Sequence, residues 1–197
     1  MRGRLIAFEG IDGTGKSTQI KMLAQALRGR GHEVVVTCEP TEGIYGQQIR
    51  ELYKSRASVS LEEELELFLA DRREHLAKLI APSLAAGKII LTDRYYLSTV
   101  AYQGAAGLDP GMILQKNAFA PPPDLAILID LSPQQAVARI QQGRGDKLNS
   151  FEHEDYLAKV AKVFHGLKMP YIRWVDGTLS VGDVQRQIML EVDKICD

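Results

Sequence analysis

The run Gly10-Ile11-Asp12-Gly13-Thr14-Gly15-Lys16-Ser17, followed by Thr18, combines flexible glycines with a lysine and hydroxyls. Glycines let the backbone curl until successive N–H groups face one point, and a helix starting there adds its positive end. Such a cradle suits phosphate. Lys16 is placed to span the β- and γ-phosphates of a nucleoside triphosphate, and Ser17 to ligate magnesium. The pattern G-x-x-x-x-G-K-[ST] is met in full. It follows the apolar run Leu5 to Phe8 and precedes the helical spacing Gln19, Ile20, Leu23 and Leu27, the context in which it forms a P-loop. An ordinary glycine turn is the plain alternative, and that context weighs against it.

A second set of residues surrounds Lys88-Ile89-Ile90-Leu91-Thr92-Asp93-Arg94-Tyr95. Asp93 and Arg94 fall at the carboxyl end of an expected strand, the edge where α/β sheets bind ligands. Asp93 suits a magnesium site, and Arg94 can bridge donor and acceptor phosphates, since a guanidinium grips two oxygens at once. A purely structural acid–arginine pair is the alternative. Ser98, Thr99, Tyr102 and Gln103 follow at helical steps, and Phe68 and Arg72 lie one turn apart upstream. An aromatic and an arginine so spaced can stack a base and bond its edge, although spacing alone favours Phe68 as core.

These side chains need a scaffold. Leu5 to Phe8, Val34 to Thr37, Ile89 to Thr92, Leu125 to Ile129 and a weaker Tyr171 to Val175 are continuously apolar and separated by helix-length segments. That pattern predicts an α/β fold: a doubly wound, five-stranded parallel sheet flanked by helices. Ser60-Leu61-Glu62-Glu63 reads as a capping box opening a long helix through Leu65, Phe68, Leu69, Leu76 and Leu79, bent near Pro82. Ser132-Pro133 opens another, which Gly143 is expected to end, leaving Gly143-Arg144-Gly145-Asp146 in a short mobile lid spanning about 139–150. A last helix is expected from about Val181 to Ile195.

With 197 residues, 45% of them hydrophobic, one domain over 1–197 is expected. The formal charge of -1 gives no general attraction to nucleic acid polymers or anionic membranes. No apolar run approaches a bilayer span, so a cytoplasmic protein is expected. Cys38 and Cys196 read as free thiols, and His32, His75, His153 and His165, which lack metal-ligand spacing, as exposed or lightly bonded. Trp174 reads as core.

The stretches F-E-G-I-D-G-T-G-K-S-T, C-E-P-T-E-G, L-F-L-A-D-R, D-R-Y-Y-L-S-T-V-A-Y-Q-G, P-D-L-A-I-L-I-D-L and R-I-Q-Q-G-R-G-D-K together resemble the bacterial and archaeal thymidylate kinases over nearly the whole chain. The resemblance implies an ATP:dTMP phosphotransferase, with magnesium as cofactor, dTDP as product, and a homodimer. By the same resemblance, Asp12 meets the acceptor sugar, Phe68 stacks on thymine, Arg72 bonds its carbonyl and Thr99 touches the base. Tyr102 occupies the place of a ribose 2′-hydroxyl, and Arg94 holds the acceptor phosphate. Glu39, Pro40, Arg50, Ser98 and Gln103 complete the acceptor pocket, while Gly10 to Thr18 holds ATP. Gly13 stands where the eukaryotic branch carries an arginine, so the catalytic cation is expected from the lid, as Arg139 or Arg144, beside Lys16 and Arg94. Lys147 replaces a common lid arginine, and Cys38 a common arginine before Glu39-Pro40.

Two other readings of the residues stay open. A deoxynucleoside kinase shares the P-loop and the strand-end acid and arginine, but must deprotonate a hydroxyl, a task that falls to Asp93. A non-catalytic ATP-binding module would leave Phe68, Arg72 and Tyr102 as packing.

Overall fold

The computed structural model describes residues 2–53, 59–142 and 153–196, and the backbone course of 143–144. Strands β1 Arg4–Glu9, β2 Val34–Cys38, β3 Ile89–Asp93, β4 Leu125–Asp130 and β5 Ile172–Asp176 form one parallel sheet in the order β2-β3-β1-β4-β5. Every aliphatic run singled out above is a strand of it. The helices are α1 Lys16–Gly29, α2 Ile44–Leu52, α3 Leu61–His75, α4 Ala81–Ala85, α5 Tyr96–Ala106, α6 Pro110–Lys116, α7 Pro133–Arg144, α8 Glu154–Gly166 and α9 Val181–Cys196.

Alternation along the strands explains their composition. Leu5, Ala7, Ile90, Ala126 and Leu128 enter one hydrophobic core with Leu65, Leu69, Val100, Leu157 and Phe164. Ile6, Phe8, Leu91, Ile127 and Ile129 enter a second with Ile20, Leu23, Leu27, Val184 and Ile188. Helices α3, α5 and α8 therefore cover one face and α1 and α9 the other, which buries nearly all of β1, β3 and β4, while the outer strands β2 and β5 keep exposed positions such as Val36 and Trp174. Each fully buried side chain, such as Phe8 or Leu23, stabilises the fold by about 1.5–3 kcal/mol. Strand β1 lies between β3 and β4, where the chain direction around the sheet reverses and a crevice opens at the carboxyl edge.

Local expectations fare differently. The Ser60 capping box forms, with Ser60 Oγ accepting from Glu63 N at 3.2 Å and Ser60 N donating to Glu63 Oε2 at 2.8 Å. The interruption expected near Pro82 takes the form of a π-helical turn, Leu76–Ile80, just ahead of it; proline lacks the N–H that would continue the ladder. Helix α7 runs through Gly143 to Arg144, because glycine weakens a helix without forbidding one. Trp174 is 41% exposed rather than core: β5 is an edge strand, and the indole lies flat against His165, 4.7 Å away. His75 is buried rather than exposed. Among the described residues no helix is long and apolar enough to cross a membrane.

Candidate active site

Strand β1 delivers the chain into the glycine loop, where Gly10, Gly13 and Gly15 all have positive φ, which glycine alone adopts freely. At Gly13 the demand is also steric. A Cβ there would strike the Ala136 carbonyl of α7, so that helix rests directly on the loop. Thr14 Oγ1 donates to Ile11 O at 3.1 Å, and Lys16 Nζ folds back onto Gly10 O and Ile11 O at 3.1 and 2.9 Å. Burial, reinforced by Arg94, depresses the Lys16 ammonium to about 8 despite nearby Asp93 and Asp12. Ser17 and Thr18 open α1 and are exposed.

Ser17 Oγ donates to Asp93 Oδ2 at 2.6 Å, while Asp93 Oδ1 is buried with no hydrogen-bond partner among the described residues. Two hard oxygen ligands side by side, one with an unsatisfied atom, fit magnesium, which keeps several waters and phosphate oxygens rather than a full protein cage. No cluster of three or more His, Cys, Asp or Glu side chains that could hold a metal exists among the described residues.

Arg94 is the hub. Its Nη2 donates to Asp12 Oδ1 at 2.7 Å and to Tyr102 Oη at 3.0 Å, and its Nη1 to Ser98 Oγ at 3.0 Å and Gly10 O at 3.3 Å. Tyr102 Oη in turn donates to Asp12 Oδ2 at 2.9 Å. Arg94 holds φ 71, the one non-glycine residue with positive φ among those described. That conformation costs on the order of 1 kcal/mol and is characteristic of functional positions. Burial alone would raise the Asp12 carboxyl, but Arg94 and then Lys16 outweigh it and hold it down at about 2.

Behind Arg94 lies Glu9, a residue the sequence did not single out. It is fully buried, accepting from Ser98 Oγ at 2.5 Å and Tyr95 N at 3.1 Å. Burial pushes its carboxyl up to about 7 against the opposing pull of Ser98 and Arg94. Its one sequence signal is an acid closing an otherwise apolar strand.

The Arg72 guanidinium is enclosed one turn along α3 from Phe68. Nε and Nη2 donate to Glu39 Oε2 at 2.9 and 2.6 Å, Nη2 also to Thr99 Oγ1 at 2.9 Å, and Nη1 to Asn117 Oδ1 at 2.5 Å. The other Glu39 oxygen meets His75 Nδ1 at 2.9 Å, and His75 Nε2 meets Thr37 Oγ1 at 2.8 Å. Glu39 thus spends both oxygens inside the protein. Phe68 is half-buried and belongs to neither core, against the core reading of its spacing. Arg50 donates to the carbonyls of Pro40 and Thr41 at 2.9 and 2.5 Å. Gln103 is buried, with Nε2 near Glu64 Oε1 at 3.4 Å. Tyr53, also unforeseen, is pushed up to about 12 by burial, with Arg94 opposing the shift and Asp12 adding to it.

Arg139 Nη2 donates to Gly177 O at 2.9 Å, in the loop after β5. The Arg144 side chain and the expected lid from Gly145 to Ser150, Asp146 and Lys147 included, lie outside the described residues, as do Phe151 and Glu152.

The family model described as thymidylate kinase matches residues 8–188. Among curated relatives, the thymidylate kinase of Desulfotalea psychrophila is 54% identical over 193 residues, covering 98% of this chain and 96% of its own. That of Xanthomonas euvesicatoria is 47% identical over 185 residues, covering 94% of this chain and 81% of its own. Matches of this extent take in the P-loop, the Arg94 hub and the Arg72 pocket together, and the chain belongs to the thymidylate kinase family.

Proposed function

We infer that the chain catalyses ATP-dependent phosphorylation of thymidylate, transferring the γ-phosphoryl group to dTMP to give dTDP, a step in nucleotide biosynthesis. The observation that carries the site assignment is Arg94, which touches the ATP-side loop at Gly10 and Asp12 and the acceptor-side helix α5 at Ser98 and Tyr102. A group so placed bridges two anions.

The acceptor phosphate has a second pKa of about 6, so its attacking oxygen is ionised at neutral pH and no general base is needed. Asp93 is accordingly free for a metal. The work left is to align two anions and screen their repulsion. Lys16 and the loop N–H groups hold the donor phosphates, and Arg94 steadies the acceptor phosphate. Phe68, Arg72 and Thr99 bind the base, with Asp12 and Tyr102 beside the sugar. Ser17 and Asp93 would hold magnesium, which neutralises charge on the transferred group. Arg144 remains our candidate for the lid cation; Arg139, as it stands, serves the loop at Gly177. We assign the whole chain to one domain and place it in the cytoplasm.

A homodimer is the assembly we propose. Its support is an open apolar groove of about 340 Å³ lined by Leu76, Ala77, Ile80, Leu84, Phe119 and Pro121, a surface that association would cover. Sedimentation equilibrium tests it directly.

A coupled ADP-release assay with dTMP and thymidine side by side decides the reaction. Turnover of dTMP is expected; turnover of thymidine alone would establish a nucleoside kinase instead.

A further inference from the structure

Arg72 offers five N–H donors, and the protein takes four: two at Glu39 Oε2, one at Thr99 Oγ1 and one at Asn117 Oδ1. The fifth, on Nη1, meets no acceptor among the described residues. The arginine, itself buried, therefore keeps a single donor uncommitted to the protein's own described groups.

Asn117 determines which hydrogen that is. It sits at the carboxyl end of α6, 2% exposed, with its backbone N–H on Ile113 O and Leu114 O. Its Nδ2 donates to Ile113 O at 2.8 Å. Because the amide nitrogen already has a carbonyl to serve, Oδ1 must be the atom facing Arg72, and the amide cannot usefully flip. On the opposite side His75 holds Glu39. The guanidinium is thus clamped between α6 and the β2 end, with no rotation open to it that keeps all four bonds.

We propose that Asn117 is a positioning residue for base selection: by taking one Nη1 hydrogen it fixes the direction of the other, so that the guanidinium, which has donors and no acceptor, aims a single hydrogen bond at a carbonyl oxygen of the base. This rests on the reading that Arg72 faces the acceptor base. Rejection of an amino group follows because a donor set against a donor leaves both unpaired in a buried site. The clamp acts before substrate arrives, which spares the cost of ordering a long side chain on binding.

The test compares Asn117→Leu, which removes the acceptor at similar size, with Asn117→Asp, which keeps it. Steady-state kinetics are run with dTMP and with 5-methyl-dCMP, which carries an amino group where thymine has its carbonyl. For Asn117→Leu, KM for dTMP should rise about tenfold, the scale of one lost charged hydrogen bond, with kcat and KM for ATP little changed. Its preference for dTMP over 5-methyl-dCMP should fall by a similar factor, and Asn117→Asp should restore both. The proposal is overturned if Asn117→Leu leaves KM and preference at wild-type values, if KM for ATP rises equally, or if Asn117→Asp behaves like Asn117→Leu. Should the leucine variant not fold, Asn117→Ala takes its place under the same criteria. Failure of the wild-type chain to turn over dTMP would instead overturn the function on which this rests.

Discussion

Arg94 and Asp12 form an ion pair at 2.7 Å that ties the end of β3 to the middle of the phosphate loop. An unconstrained position of the loop motif is thereby committed to the acceptor side of the site. Asp12→Asn keeps the shape and removes the charge, so Arg94 loses its ion-pair partner while the loop glycines and the bonds of Lys16 to Gly10 O and Ile11 O are kept. KM for dTMP is expected to rise about tenfold or more, a loss of about 1.4 kcal/mol or more, with ATP affinity near normal. Kinetics with each substrate varied in turn give the answer, and equal losses for both would reduce the loop to an ATP cradle.

Ser17 and Asp93 share one proposed magnesium site, so Ser17→Ala and Asp93→Asn should each raise the magnesium concentration needed for half-maximal rate. Neighbours in one site are not additive, and the double variant should be little worse than the poorer single one. Magnesium titrations of all three chains measure this; an unchanged requirement would move the metal elsewhere.

Gly13 has positive φ, and α7 lies against it. Gly13→Ala must strain the backbone and push α7 from the loop, so ATP affinity, read by calorimetry, should drop at least about tenfold. Wild-type ATP affinity in this variant would mean that α7 yields freely.

Glu9 supplies a pH signature. Its folded carboxyl lies near 7 against an ordinary 4.5, so between these values the folded state binds more protons than the unfolded one. Its contribution is fully present below about 4.5 and is lost as pH rises through about 7, by at most about 3 kcal/mol. Glu9→Gln should therefore lose less stability than wild type between pH 5 and 7.5 in chemical denaturation. Parallel stability curves would show that Glu9 titrates normally.

The sheet was legible because buried parallel strands must be apolar throughout, and the phosphate loop because its chemistry constrains several consecutive residues. Expected pocket residues Arg72, Thr99, Tyr102 and Arg94 converge because they lie at strand ends or helical steps, which the sequence displays. What stayed hidden depends on partners far apart in the chain. Nothing local marks His75 as a bridge between Thr37 and Glu39, or Asn117 as an acceptor for Arg72. Nor does anything local mark Glu9 as the acceptor for Ser98 and Tyr95, which reach it from almost ninety residues away. Trp174 misled because β5, at the edge of the sheet, leaves Arg173, Trp174 and Asp176 exposed.

The sheet order also carries a consequence for how the protein is made. Strand β1 leaves the ribosome well before its hydrogen-bonding neighbours β3 and β4, with Arg4 beside Ile89 and Ile6 beside Leu125. At about 5–20 residues per second, those partners are synthesised on the order of ten seconds later. Until then the glycine loop has no sheet edge to project from, and Asp12 and Ser17 lack Arg94 and Asp93. Nucleotide cannot assist the earliest stages of folding, and the nascent amino-terminal segment must wait, exposed, for the long-range pairing that creates its binding site.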